Sequence, residues 1–284
     1  MFYRLLLACA LSCGLAVSTL AHAGTLDKIR SAGVITLGYI DDAAPFSFVG
    51  AKGEPQGYSV ELCREIAHGI GAQLGLPKIE TRWVALTIQN RLEAVRGRRV
   101  DIECSTTTWT LSRQREVDFS LITFVDGGNV LTRAGSGLGR IADLNGTRLA
   151  VIKGTTTERA LRDALTRYSV KAEVLTVTTR PEGLKLVDDA KVDGFAADRT
   201  TLVGALHAKQ AGGAYRLLDE DFSIEPYVFT LPSSEHDYRL AVNRVLARLF
   251  RSGDIGKVYD HWLGPLGPPS ALLSTTYFVQ GIAE

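Results

Sequence analysis

The stretch Asp101-Ile-Glu-Cys-Ser-Thr-Thr-Thr-Trp-Thr-Leu-Ser-Arg-Gln114 carries the residues best suited to chemistry. It reads as a buried strand running into hydroxyl-bearing residues, then a helix with Arg113 in its first or second turn. Thr110 fits an N-cap, its hydroxyl free to accept from first-turn amides. Thr106, Thr108, several amide donors and a guanidinium then surround one small volume at a strand end. A carboxylate requires such surroundings: a planar fork of charged donors, with neutral donors to fix its orientation. The hydroxyls also offer lone pairs to an ammonium group. A site for both charges suits a free amino acid. The plainer reading of the same residues is a Thr-rich turn at a sheet edge with a surface arginine.

Two further segments add to this chemistry. Gly154-Thr-Thr-Thr157 opens a helix, and the free amides there form a natural anion site. Asp198 ends an apolar strand where another helix begins, so its carboxylate either caps that helix or meets a cation at the strand end. Thr156 has the same two readings, cap or donor, and Arg113 can instead pair with Glu116.

The elements that position these residues alternate between strand and helix. Strands are expected at 34–39, 79–84, 100–103, 149–152, 174–177, 193–197 and 227–231, and helices at 59–72, 89–96, 154–168, 181–188, 237–251 and 255–262. Ala43-Ala-Pro-Phe-Ser47 is a loop, and the tail with Gly264-Pro and Gly267-Pro-Pro is expected to be extended. Short strands separated by helices at this spacing mean an α/β fold. There is no tandem repeat, but two similar α/β halves, the second inserted in the first. The Gly-rich 134–139 is a turn rather than a phosphate loop, because no strand leads through it directly into a helix.

The N-terminus bounds the compartment. Arg4, an apolar run from Leu5 to Leu20 and Ala21-His-Ala23 form a secretory signal peptide over residues 1–23. Cys13 lies in a poor lipobox. Without that segment Arg4 is lost, leaving 31 basic against 31 acidic residues. A neutral chain with no basic run argues against nucleic acid as a partner, and 45% hydrophobic residues suit a globular chain. Of four cysteines, Cys63 and Cys104 remain. An even pair in an oxidising compartment points to one disulfide, since Cys63 lies on the apolar face of a helix expected beside the strand of Cys104. The alternative is two buried free thiols. The scattered histidines have no metal-ligand spacing, so neither metal nor cofactor is expected.

Ala44-Pro-Phe-Ser47, Gly57-Tyr-Ser-Val-Glu-Leu62, Gln89-Asn-Arg91, Asp101 to Gln114, Asp118-Phe-Ser120, Gly154-Thr-Thr156, Gly194-Phe-Ala-Ala-Asp198 and Gly253 to Trp262 together resemble the family 3 extracellular solute-binding proteins. These are the periplasmic polar amino-acid-binding proteins of ABC importers. Gln89-Asn-Arg91 and Glu103-Cys104 look most like the glutamate/aspartate branch. The resemblance implies a two-lobed periplasmic-binding-protein fold (type II), each lobe a mixed sheet flanked by helices, with hinge crossings near 124–129 and 223–227. It places lobe 1 at 24–126 plus 228–284 and lobe 2, inserted, at 127–227. Carried over by position, Arg113 grips an α-carboxylate with Thr108 and Thr156 donating, and Asp198 neutralises the α-ammonium with help from Thr106. At the side-chain end, that branch has an Arg where this chain has Ile40 and a Ser where it has Ile88. Arg91 is kept, and Arg180 stands where the branch has a His. The Arg/ornithine branch uses an Asp and a Tyr where this chain has Ile40 and Ala43. An acidic or amide side chain is therefore the expected ligand.

The resemblance implies a monomeric periplasmic receptor that binds one amino acid and docks on an ABC permease. An enzyme on the same scaffold, similar to cyclohexadienyl dehydratases, would need a carboxylic acid facing the ligand; Glu103 and Asp126 are the candidates. A sensor subunit that presents its ligand to a membrane receptor is the third reading. A permease and an ATPase encoded next door would favour the importer.

Overall fold

A computed structural model describes residues 24–211 and 213–283. The signal-peptide reading, with Cys9 and Cys13, lies outside the described residues. The strands are β1 (Val34–Ile40), β2 (Asp42–Ala43), β3 (Ser47–Val49), β4 (Pro55–Gln56), β5 (Glu80–Leu86), β6 (Ile102–Thr108), β7 (Asp118–Asp126), β8 (Gly128–Arg133), β9 (Arg148–Ile152), β10 (Glu173–Val177), β11 (Gly194–Asp198), β12 (Tyr215–Leu217) and β13 (Glu225–Leu231). The helices are α1 (Thr25–Ala32), α2 (Tyr58–Gln73), α3 (Arg91–Arg96), α4 (Thr156–Arg167), α5 (Arg180–Asp188), α6 (Arg199–Ala208), α7 (His236–Ser252), α8 (Asp254–Trp262) and α9 (Ala271–Gln280).

Two five-stranded mixed sheets share one plan. The first has the order β5-β1-β6-β13-β7 and the second β10-β9-β11-β8-β12. In each, three parallel strands are followed by an antiparallel one that arrives from the other sheet. Only Gly127 separates β7 from β8, and residues 218–224 return the chain from β12 to β13. The two crossings run side by side, with Asp126 opposite Glu225. The arrangement is the mixed α/β, two-lobed one expected.

Helix α2 shows why each sheet is covered. Tyr58, Leu62, Ile66 and Ile70 recur at four-residue spacing and are all buried, with Cys63 and Ala67 beside them. Gly57 opens this helix at φ 122°, and a Cβ there would sit 2.3 Å from the Phe46 carbonyl oxygen. No other residue fits that close approach. Phe46, Tyr58, Phe124 and Tyr227 form an aromatic cluster under the crossings, with edge-on contacts from 4.8 to 6.1 Å between ring centres. The second sheet has its own core around Leu131, Ala150, Ile152 and Phe195.

The Cys63–Cys104 disulfide is present and pins α2 to β6, with Cα atoms 6.2 Å apart. Replacing both cysteines by Ala should cost about 2–4 kcal/mol of stability, or roughly 5–15 °C in melting temperature. A reductant should produce the same shift in the native protein and none in the variant.

Two expectations need correction. The tail is not extended: Ser270 caps α9 by accepting from the Leu273 amide at 3.1 Å, and Leu273 and Tyr277, four residues apart, are buried. The prolines end before Ser270, so they delimit the helix rather than prevent it. Arg113 lies not in an α-helix but in a single 3₁₀ turn, Arg113–Arg115. Residues 109–117 must carry the chain directly from β6 into β7, which leaves room for one tight turn.

Candidate functional site

Ile88, Arg91, Thr106, Thr108, Thr156, Arg180 and Asp198 line one cavity between the two sheets, together with Thr155, Thr157 and Ile152. The strand ends explain the convergence. Thr106 and Thr108 close β6, Ile152 closes β9 and Asp198 closes β11. Carboxyl ends of parallel strands commonly form ligand crevices in α/β sheets. Arg113 opens on an adjoining cleft of ≈ 440 Å³, whose wall includes Thr155 and Thr156 of the first cavity. Ile40 stands apart: it is buried among Ala43, Leu86 and Val95 in the first lobe's core.

The nine-residue segment 109–117 after β6 orients Arg113 as its hydroxyls suggest. The Thr110 hydroxyl accepts from the Arg113 amide at 3.2 Å, and Arg113 Nη1 donates to the Thr108 carbonyl at 2.8 Å. Burial, reinforced by the nearby Arg91 charge, lowers the Arg113 pKa to about 10. Its guanidinium stays fully charged at neutral pH.

Arg91 is the unusual group. It is 5% exposed, and among the described residues its guanidinium has no hydrogen-bond or ion-pair partner. Burial pulls its pKa down, Glu103 opposes this, and the neighbouring Arg180 adds to it. Arg180 is better supplied. Its Nη1 pairs with Asp42 at 2.8 Å, and its backbone amide donates to the same carboxylate at 3.0 Å. Its Nη2 lies 3.4 Å from Thr106 Oγ1, while its buried Nε has no acceptor among the described residues. Asp42 follows β1 of the first sheet and Arg180 opens the helix between β10 and β11 of the second, so this pair spans the cleft.

Asp198 is buried and accepts from neutral donors, Thr157 Oγ1 at 2.8 Å and Tyr227 Oη at 2.6 Å. Among the described residues it pairs with no cation. Tyr227 Oη also lies 3.1 Å from Asp126. Tyr227 has one proton to give, and Asp198 is the nearer acceptor. A proton on Asp126 would therefore be donated to the Tyr227 oxygen, completing a chain from Asp126 through Tyr227 to Asp198. Burial and the Asp198 charge push the Asp126 pKa up to about 7. In the unfolded chain Asp126 ionises near 4, so between about pH 4 and 7 the folded state holds the extra proton. Stability from this group is then greatest at low pH and falls as pH rises toward 7. Asp126→Asn, whose amide can donate to Tyr227 at any pH, should flatten that fall in a pH series of melting temperatures. An unchanged slope would remove Asp126 as its source.

Glu225, Tyr227, Thr157 and Asp42 escape a reading of the sequence. Glu225 and Tyr227 alternate along one face of β13, the only local signal they carry. Glu225 is buried and accepts from Thr108 Oγ1 and Thr156 Oγ1, each at 2.7 Å, and from Ser223 Oγ at 2.6 Å. Glu103 is fully buried and accepts from the hydroxyls of Ser105, Thr107 and Thr230. Neither Glu103 nor Asp126 lines the cavity.

The lobes are drawn together. Gln89 Nε2 donates across the cleft to the Thr178 carbonyl at 3.1 Å. Gly204 of α6 lies so close to Ala44 that a Cβ would stand 2.7 Å from its carbonyl oxygen. The cavity between them is ≈ 20 Å³, enough for a water molecule and too small for an amino acid. A ligand of that size must enter with the lobes parted.

Two lobes on paired crossings, with charged and hydroxyl groups converging between them, define a cleft-closing solute-binding protein. The chain belongs to the bacterial extracellular solute-binding proteins, family 3, whose pattern matches residues 35–265. It is 29% identical over 250 residues to an L-glutamate/L-aspartate-binding protein of Pseudomonas aeruginosa, covering 88% of this chain and 83% of that one. Among solved structures, an ABC transporter periplasmic binding protein from Brucella ovis with glutathione bound superposes with a TM-score of 0.75 at 25% identity, covering 83% of this chain and 73% of that one. An ancestral amino acid-binding protein, a precursor of cyclohexadienyl dehydratase, gives a TM-score of 0.72 at 26% identity, covering 84% and 99%. Among the described residues no helix is long and apolar enough to cross a membrane, and no cluster of His, Cys, Asp or Glu could hold a metal ion.

Proposed function

We propose that this chain is a periplasmic receptor for a polar amino acid with an acidic or amide side chain, which it delivers to an ABC-type permease. Arg113 takes the α-carboxylate, with Thr108 and Thr156 as neutral donors. Asp198 takes the ammonium, with Thr106 beside it. Arg91 and Arg180 face the side chain, and Ile88 supplies an apolar wall. The lobes are residues 24–126 with 228–284, and 127–227. Binding favours the closed state because only there do both lobes touch the ligand.

The observation that carries this reading is Arg91. A buried guanidinium without a partner is costly, and an acidic ligand would offset that cost. Arg180 adds a second cation at the same wall. A cationic side chain there would meet like charge at low dielectric. The similarity to the Pseudomonas aeruginosa glutamate/aspartate-binding protein supports the same ligand class.

An enzymatic reading has one observation behind it, the likeness to the ancestral precursor of cyclohexadienyl dehydratase. It would require a proton donor facing the ligand. Glu103 is saturated by three hydroxyls away from the cavity, and Asp126 is turned to Tyr227. The receptor is therefore preferred.

A thermal-shift screen of the purified protein against all amino acids and small dicarboxylates tests the proposal, since binding to the folded state raises the melting temperature. Glutamate, aspartate, glutamine or asparagine should give the largest shift. Tightest binding of arginine, lysine or a branched aliphatic amino acid would mean that Arg91 and Arg180 do not read the ligand.

A further inference from the structure

Glu225 holds the donors that an incoming carboxylate would need. Its Oε2 lies 2.7 Å from both Thr108 Oγ1 and Thr156 Oγ1, and its Oε1 lies 2.6 Å from Ser223 Oγ. Each threonine hydroxyl has a single proton to donate. With those protons committed to Glu225, neither threonine can donate to a second carboxylate. The residue is 2% exposed, so water does not share the contact in this conformation.

The two threonines belong to different lobes. Thr108 closes β6 in the first sheet, and Thr156 begins α4 over the second. Glu225 itself starts β13 at a crossing, opposite Asp126. One side-chain oxygen therefore ties the lobes together through Thr156, which lines both the central cavity and the Arg113 cleft. Arg113 is close enough for Glu225 to favour its charge, as a bound carboxylate would.

We propose that Glu225 is a tethered competitor of the ligand's α-carboxylate, which clamps the lobes through Thr108 and Thr156 and must release both hydroxyls when an amino acid enters. The proposal rests on the amino-acid-binding reading for its second half only. The clamp requires no ligand.

Small-angle X-ray scattering of the ligand-free protein tests the clamp. Wild type should be compact, and Glu225→Ala should have a larger radius of gyration. Thr156→Val, which removes the partner hydroxyl and keeps the side-chain shape, should also expand. Equal radii in all three proteins would overturn the clamp. Calorimetric titration with L-glutamate tests the competition. Glu225→Ala should bind roughly ten-fold more tightly than wild type, because the donors no longer have to be freed, and Glu225→Gln should gain less, because its amide oxygen still accepts from them without the charge. Weaker binding in both variants would overturn the competition and make Glu225 a partner of the ammonium; unchanged affinity would overturn it as well. Should none of the proteins bind L-glutamate while Glu225→Ala still expands, the clamp stands and the ligand assignment fails. Should wild type bind L-glutamate while Glu225→Ala stays compact, the clamp fails alone.

Discussion

Arg113→Ala lowers amino-acid affinity by roughly 30-fold to several thousand-fold, the scale of about 2–5 kcal/mol for truncating one partner of a buried charge pair, and Asp198→Ala does the same. The two act on opposite ends of the zwitterion. Arg113 is anchored by the Thr108 carbonyl through one nitrogen, which leaves the rest of its fork for a carboxylate. Asp198 is held by two neutral hydroxyls and pairs with no cation among the described residues. An ammonium completes it. Arg113→Lys should recover only part of the loss, since a point charge cannot make two parallel contacts. The melting temperature of ligand-free Arg113→Ala should stay close to wild type, whereas Asp198→Ala should lower it somewhat, because the buried hydroxyls of Thr157 and Tyr227 lose their acceptor. Calorimetry showing near-wild-type affinity in either alanine variant would sink the zwitterion assignment.

Arg91→Met should show two opposite effects. Binding of glutamate falls by roughly 100-fold, while glutamine, with no distal charge to lose, falls much less. The ligand-free protein becomes more stable, because a buried and unpartnered cation has been replaced by an apolar chain of similar reach. A site built for an anion explains the pairing of lost affinity with gained stability. If glutamate and glutamine weaken equally, Arg91 is a structural residue and the side-chain assignment fails. Arg180→Met should not behave in the same way. It also breaks the ion pair with Asp42 across the cleft, so its loss should loosen closure for every ligand.

The parts of the site that could be read from the sequence are those placed by short-range geometry. Thr106 and Thr108 sit at a strand end, Thr110 reaches the amide three residues on, and Thr156 and Asp198 stand where a strand gives way to a helix. Local periodicity fixes all of them. The alternation of strands and helices likewise exposed the α/β class. Glu225 and Tyr227 could not be read, because β13 joins β6 and β7 by pairing across the whole second sheet. Nothing near them in sequence signals that pairing. Asp42 was invisible for a related reason: its partner Arg180 reaches it only when the lobes meet. The tail was misread where prolines outweighed a serine cap and a buried Leu273–Tyr277 pair. The side-chain wall was partly misplaced, since Ile40 packs into the first core. Its period-two position on β1 does not reveal which neighbour covers it.

The place of β13 also governs the order in which the protein can assemble. The strands of the second sheet run without interruption from Gly128 to Leu217, and that sheet can form once they are available. The first sheet cannot. Its β6 and β7 face each other across a gap until residues 225–231, separated from them by the whole second sheet in sequence, close a long loop to fill it. Two open strand edges invite wrong pairing for as long as the gap lasts. Pulse-labelled hydrogen exchange during refolding should accordingly protect β9 and β11 before β6, with the amides of β13 and β7 the last to be shielded.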